Sequence, residues 1–141
     1  MTDMEKSWFT DLLERAQKWH ECAAGQTGLI FHPEARTAMW AVALSKIADG
    51  YHQSNNCEKA LFFANAAWRL SKYPVFAFNA AVLHMALDQG DAARPLLYSY
   101  LAEYKNIHSN SVWEFIDPAI TSEQLDKLAD SARVRLTAIG L

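Results

Sequence analysis

Apolar residues recur every three or four positions through most of this chain, and polar, glycine or proline breaks separate the runs. Trp8, Leu12, Ala16 and Trp19 form one stripe, which predicts a helix over residues 3–22. Thr2 and Glu5 stand before it at capping-box spacing, and Gly25 beyond it suits a helix exit. Residues 26–32 read as a loop. Pro33 suits a helix start, where its missing amide proton would have no partner anyway, and Glu34 suits the positive end of the helix dipole. Trp40, Ala43, Leu44, Ile47 and Tyr51 then line one face of a helix over 34–53.

Ser54, Asn55 and Asn56 form a turn, with Asn55 and Glu58 spaced for a reciprocal cap. A helix over 57–71 carries Ala60, Leu61, Ala64, Ala67, Trp68 and Leu70. Pro74 opens a helix over 74–89 with Phe78, Val82, Leu83, Met85 and Ala86. Gly90 and Asp91 break that run, with Asp91 as the expected next cap. A helix over 92–105 follows, with Leu96, Leu97, Tyr100, Leu101 and Tyr104, and with Pro95 in its first turn. Residues 106–120 are irregular apart from a short helical turn near 111–116. Thr121 and Gln124 make a further capping-box pair ahead of a helix over 121–139, whose stripe is Leu125, Leu128, Ala129, Ala132, Leu136 and Ile139.

These helices contain an internal repetition. Ala60 and Ala67 map onto Pro95 and Ala102 at a shift of 35, which also takes Asn55 to Gly90, Leu61 to Leu96 and Ile47 to Val82. Each unit is a helix, a short turn and a second helix. The clearest unit runs from Leu44 to Pro74. Its Leu44, Ile47, Ala48 and Tyr51, followed by Ala60, Ala64 and Ala67, resemble the packing positions of the tetratricopeptide repeat family. The second unit matches at Gly90-Asp91 and Ala102, whereas Pro95 stands for a small residue and Ala86 for the tyrosine. The resemblance covers about two units over residues 40–106. It implies an all-α fold in which antiparallel helical hairpins stack as a short right-handed solenoid, with the first and last helices as caps. A generic antiparallel helical bundle also has alanine-rich faces.

Composition narrows the class. The 141 residues fit one domain and are 51% hydrophobic and 21% charged, which describes a chain able to bury a core. Net charge is -3, and basic residues are scattered, so no phosphate-binding stripe is expected and nucleic acid is not an expected partner. Arg133 and Arg135 fall among Asp126, Lys127 and Asp130 and read as a solvated helix face. No run approaches the ~20 apolar residues of a membrane span. The start is acidic and unlike a secretory signal, and the two cysteines make no disulfide framework, so the expected setting is the cytoplasm.

The chemical motifs are sparse. Five histidines include no i, i+4 metal pair, and His20 and Cys22 point to different helix faces, so neither a metal nor another cofactor is expected. Cys57 lies at a helix start, near the positive end of the dipole, and His52 lies across the turn. No oxyanion motif or nucleophile elbow accompanies them. Of the pairs Phe76/Phe78 and Trp113/Phe115, one member each is expected to point away from the local core, with Trp113 and Phe115 docking in a groove.

The resemblance implies that the first helix of each hairpin lines a concave surface. Ser45, Asp49 and His52 would face it from one unit, and Ala80, His84 and Leu87 from the next. Well-known members grip a terminal carboxylate there with lysine, arginine and asparagine, and this chain lacks that set. A face with Asp49 and two histidines suits a neutral, basic or partly apolar segment, unless the groove is merely solvated or filled by the terminal helix. The expected function is a non-enzymatic interaction module, an adaptor or small chaperone-like binder of a protein or peptide segment. The alternatives are a small helical enzyme or ligand-binding protein using Cys57 with His52 or His84, and a self-associating structural subunit. Circular dichroism should show a mostly helical chain, and strand content near the globular average of about a quarter would contradict that class.

Overall fold

The computed structural model describes residues 33–140. The expected helix over 3–22, its Thr2–Glu5 cap, Gly25 and the loop over 26–32 lie outside the described residues. Six α-helices and one 3-10 turn follow in order: α1 (Pro33–Gln53), α2 (Cys57–Ser71), α3 (Pro74–Ala86), α4 (Gly90–Glu103), the 3-10 turn (Tyr104–Ser109), α5 (Ser111–Ile116) and α6 (Ser122–Ala138). No strand occurs among the described residues. Each of α1 to α3 packs on the next, α6 packs on α4, and α5 folds back against α1.

Small residues set this packing. Ala41, Ala60, Ala67, Ala77, Ala80, Ala81 and Ala93 are all fully buried, so neighbouring helices meet backbone against backbone. α3 is the extreme case, with Pro74, Phe76, Ala77, Phe78, Ala80, Ala81 and Leu83 buried and one narrow face, of Val75, Asn79, Val82 and Ala86, left partly or fully exposed. Phe76 and Phe78 therefore both enter the core, contrary to the expectation that one would point away. Phe76 meets the Tyr73 ring edge-on at 5.0 Å, and Phe78 lies 5.5 Å from the Tyr100 ring. A helix flanked by α2 and α4 keeps a narrow open face, and Phe76 and Phe78 both fall on its buried side. Trp40 departs in the opposite sense: the stripe was expected to bury it, yet it is 68% exposed, and Ala38, Ala41 and Val42 carry the contact instead.

The turns explain how the hairpins form. After α1, Asn55 takes a left-handed φ of 62°, and Asn56 caps α2 by accepting from the Lys59 amide at 3.3 Å. The cap is thus Asn56, one residue beyond the expected Asn55, because Asn55 is the residue that reverses the chain. After α3, Asp88 takes the same φ of 62°. α3 accordingly ends at Ala86 and α4 begins at Gly90. Gln89 is the N-cap, and Asp91 sits inside the first turn, paired with Arg94 at 3.4 Å, so Asp91 is not the cap. Pro95 falls beyond the first turn, inside α4.

The two turns are copies of one another. Ser54 N to Gly50 O, Asn55 N to His52 O and Asn56 N to Tyr51 O measure 3.2, 3.1 and 2.9 Å. Leu87 N to Leu83 O, Asp88 N to Met85 O and Gln89 N to His84 O measure 3.2, 3.1 and 2.8 Å. Every atom of the second set lies 33 residues after its counterpart. Burial follows the same offset: Ala93, Leu97 and Tyr100 repeat Ala60, Ala64 and Ala67. The 35-residue shift read from the sequence is therefore corrected to 33. Pro95 and Ala102, which it had set as packing positions, are exposed. Two residues of helix rotate a side chain by roughly 200°, from the packed face to the opposite one.

The remaining segments close the stack. Asn110 caps α5 by accepting from the Val112 and Trp113 amides. Trp113 and Phe115 are half-buried against the main core, as the docking expectation had it, and Trp113 Nε1 donates to the Ser71 carbonyl at 3.4 Å. The Tyr73 hydroxyl donates to Asp117 at 3.5 Å, and burial together with that carboxylate pushes the phenol well above its ordinary pKa. α6 starts with the complete Thr121–Gln124 capping box. Its far end is tied to α4, because Arg94 Nη2 donates to the carbonyls of Ile139 at 3.2 Å and Gly140 at 3.1 Å. Gly90 permits that approach, since a Cβ there would sit 3.2 Å from the Ile139 side chain.

Ala60→Leu and Ala67→Leu should each lower stability by ~1–3 kcal/mol through overpacking, measured by denaturant unfolding. No change in either would place those faces in solvent. Tyr100→Phe removes a buried 2.6 Å bond from its hydroxyl to the Leu125 carbonyl, the tie between α4 and α6. The expected loss is ~0.5–1.5 kcal/mol, read in the same titration.

Candidate functional site

Ser45, Asp49 and His52 recur at four and three residues on α1, so one helical face presents all three. They line a cavity of about 240 Å³. Its floor is apolar and recessed because Ala48, Ala64 and Ala67 carry only a methyl group each. α3 forms the opposite wall with Phe76, Phe78, Asn79, Val82 and Leu83. Arg135 of α6 closes one end. A second recess of about 290 Å³ shares Ser45, Asp49, Phe76 and Asn79 and continues past Lys46 to Tyr73, Ile116 and Asp117. The two make one groove between α1 and α3, walled at its ends by α5 and α6.

His84 and Leu87 do not line this groove. His84 Nδ1 lies 2.7 Å from the Gln89 side-chain oxygen, and Leu87 closes the end of α3. Ala80, the third member expected from that unit, is fully buried in a small cluster with Ala48, Ala60, Ala64 and Leu83. The cause is the two-residue error in the repeat. At an offset of 33 the counterparts of Ser45, Asp49 and His52 are Phe78, Val82 and Met85, of which the first two line the cavity.

Arg135 was expected on a solvated face together with Arg133. Arg133 is exposed and paired with Asp130 at 3.1 Å, whereas Arg135 is half-buried. Arg135 Nε donates to the Ser131 hydroxyl at 3.3 Å and Nη1 to the Met85 sulfur at 3.9 Å. Its guanidinium lies 5.9 Å from the Phe78 ring centroid, within cation–π range. One signal in the sequence bears on this: Arg135 adjoins Leu136 and follows Ala132 by three, so it sits on the flank of the buried stripe. That flank becomes a groove wall only because α6 packs on α4.

Polar groups around an apolar floor can orient a bound chain. Cys57 is a free, half-buried thiol packed against the small cluster of Ala48, Ala60, Ala64, Ala80 and Leu83. Among the described residues it makes no hydrogen bond to His52 or His84. The described residues also contain no group of three or more histidine, cysteine or acidic side chains placed to hold a metal ion. His20, Cys22 and His32 lie outside them. No described helix is long and apolar enough to cross a membrane. Comparison with protein-family models, with curated proteins and with solved structures finds no match to this chain.

Proposed function

We propose that this protein is a non-enzymatic, tetratricopeptide-like interaction module that holds a peptide or protein segment in the groove between α1 and α3. The observation that carries this reading is the groove itself, an apolar floor of alanines between two helix walls that present Ser45, Asp49, His52 and Asn79. Its length favours an extended chain over a compact small molecule, since two recesses share four residues and run on from Arg135 to Asp117. The 33-residue repetition of turns and packed faces supports the family likeness, because stacked helical hairpins form long grooves from their first helices. An adaptor or small chaperone-like role follows from that geometry, with the cytoplasm as its setting, where a free thiol such as Cys57 stays reduced.

Affinity capture from the native cell with four immobilised chains tests the groove. Val82→Trp fills it and Asp49→Lys reverses a charge on its rim, while His84→Ala lies outside it. Proteins retained by the wild type and His84→Ala should be lost or depleted with Val82→Trp and Asp49→Lys. Asp49 is exposed, so its substitution should change stability by under about 0.5 kcal/mol. Equal retention by all four chains would place the binding surface elsewhere, and no specific retention by the wild type would overturn the proposed function.

A further inference from the structure

Ala60, Ala64 and Ala67 bury one side of α2. By helical spacing Phe62 and Arg69 stand on the opposite side, with Lys59 and Leu70 on one flank and Glu58 on the other. Phe62 is 69% exposed and Leu70 44%. Trp40 of α1, 68% exposed, borders the same surface, because Thr37, one turn before it, shares a recess with Leu70 and Ser71. Tyr51, on the same flank of α1 as Trp40, stacks on Phe63 at 5.7 Å, and Phe63 meets Phe62 edge-on at 5.3 Å. Three of the five large exposed apolar side chains among the described residues therefore gather on the α1–α2 hairpin.

The charges on this face are mostly positive. α2 and its C-cap carry Lys59, Arg69 and Lys72 against Glu58 alone, in a chain of net charge -3. All four are exposed, and none of the three cations forms an ion pair among the described residues. Lys59 lies over the Tyr51 ring at 5.3 Å and Lys72 over the Trp68 ring at 4.9 Å, contacts that orient an ammonium and leave its charge in place. α6 provides the contrast. Its Val134 is 69% exposed, like Phe62, but the adjoining Arg133 is paired with Asp130.

We infer that this face docks on an anionic lipid surface, with Phe62, Leu70 and Trp40 entering the interface and Lys59, Arg69 and Lys72 meeting the headgroups. Aromatic and leucine side chains flanked by Lys and Arg are the composition of an interfacial helix face. A protruding Phe62 needs a matching pocket on a folded protein partner, whereas a bilayer interface parts around it. Anionic headgroups supply the charges that the cations lack within the chain. Such a contact is peripheral and requires no spanning helix. It is also independent of the groove, which lies on the other side of α2, where Ala64 and Ala67 form the floor. A docked chain keeps that groove open on the side away from the lipid.

The test is co-sedimentation of the full chain with two kinds of vesicle, one of phosphatidylcholine alone and one of phosphatidylcholine and phosphatidylserine in equal parts. The wild type should partition onto the anionic vesicles and not onto the neutral ones, and the partition should weaken as salt rises. Lys59→Gln and Arg69→Gln should each lower it roughly fivefold. Phe62→Ser should lower it roughly tenfold, and Phe62→Trp should preserve it. Val134→Ser removes an equally exposed apolar residue elsewhere and should change nothing. Thermal melts confirm that the variants are folded, as expected at exposed positions. Equal partition onto both vesicles, no partition onto either, or wild-type partition by Lys59→Gln, Arg69→Gln and Phe62→Ser alike would overturn the inference. Retention on a poly-glutamate resin without partition onto the anionic vesicles would overturn it as well and assign the face to an acidic protein.

Discussion

Helix α3 can occupy the centre of this protein only because its neighbours come close enough to touch its backbone. That closeness depends on alanine at Ala60 and Ala67 of α2, at Ala77, Ala80 and Ala81 of α3, and at Ala93 of α4, all of them fully buried. An alanine contact gives little apolar area per residue, so the stabilisation comes from the number of close contacts and not from any one large side chain. The same choice recesses the groove. Ala48, Ala64 and Ala67 lie low beneath the walls formed by α1 and α3, and larger residues there would fill the cavity that the proposed segment enters. Packing and binding surface therefore share one cause.

The far end of the groove depends on a different set of contacts. α6 is held on α4 by the Tyr100 hydroxyl at its start and by Arg94 at its end. Arg94 is not fully satisfied in this position, since its buried Nε has no partner. Its Nη2 offsets this by donating to the carbonyls of Ile139 and Gly140, which a helix end would otherwise leave to water. Gly90 adds the clearance for Ile139. With α6 fixed in this way, Arg135 stands over Phe78 and Met85 of α3. The terminal helix thus contributes to the groove without filling it.

The repetition of turn geometry bears on how such a module is built. Asn55 and Asp88 both reverse the chain in the left-handed region, which asparagine and aspartate enter more readily than most residues. Matching backbone hydrogen bonds around them give the two hairpins the same geometry, so α4 leaves its turn as α2 leaves its own. Faces at equal offsets then point in equal directions. Phe78 and Val82 consequently continue the line of Ser45 and Asp49, which turns two short helical faces into one wall-to-wall groove.

Much of this was legible in the sequence. Periodicity, prolines and the Thr121–Gln124 box located every described α-helix, the short α5 over 111–116 included, and the Ser45–Asp49–His52 face lies in the groove as its spacing implied. Local signals suffice for these because helix period, caps and breaks act within one or two turns of chain. The repeat register was not legible: Ala60 matched against Pro95 looked as acceptable as Ala60 against Ala93, and only burial separates them. Nor was Arg135, which reads with Arg133 as part of a charged helix face while its neighbours in space are Phe78 and Met85. Sequence by itself determined the helices and which residues share a face. The tertiary structure decided which faces meet, because alanine contacts are short-ranged and a two-residue slip turns a packed face outward.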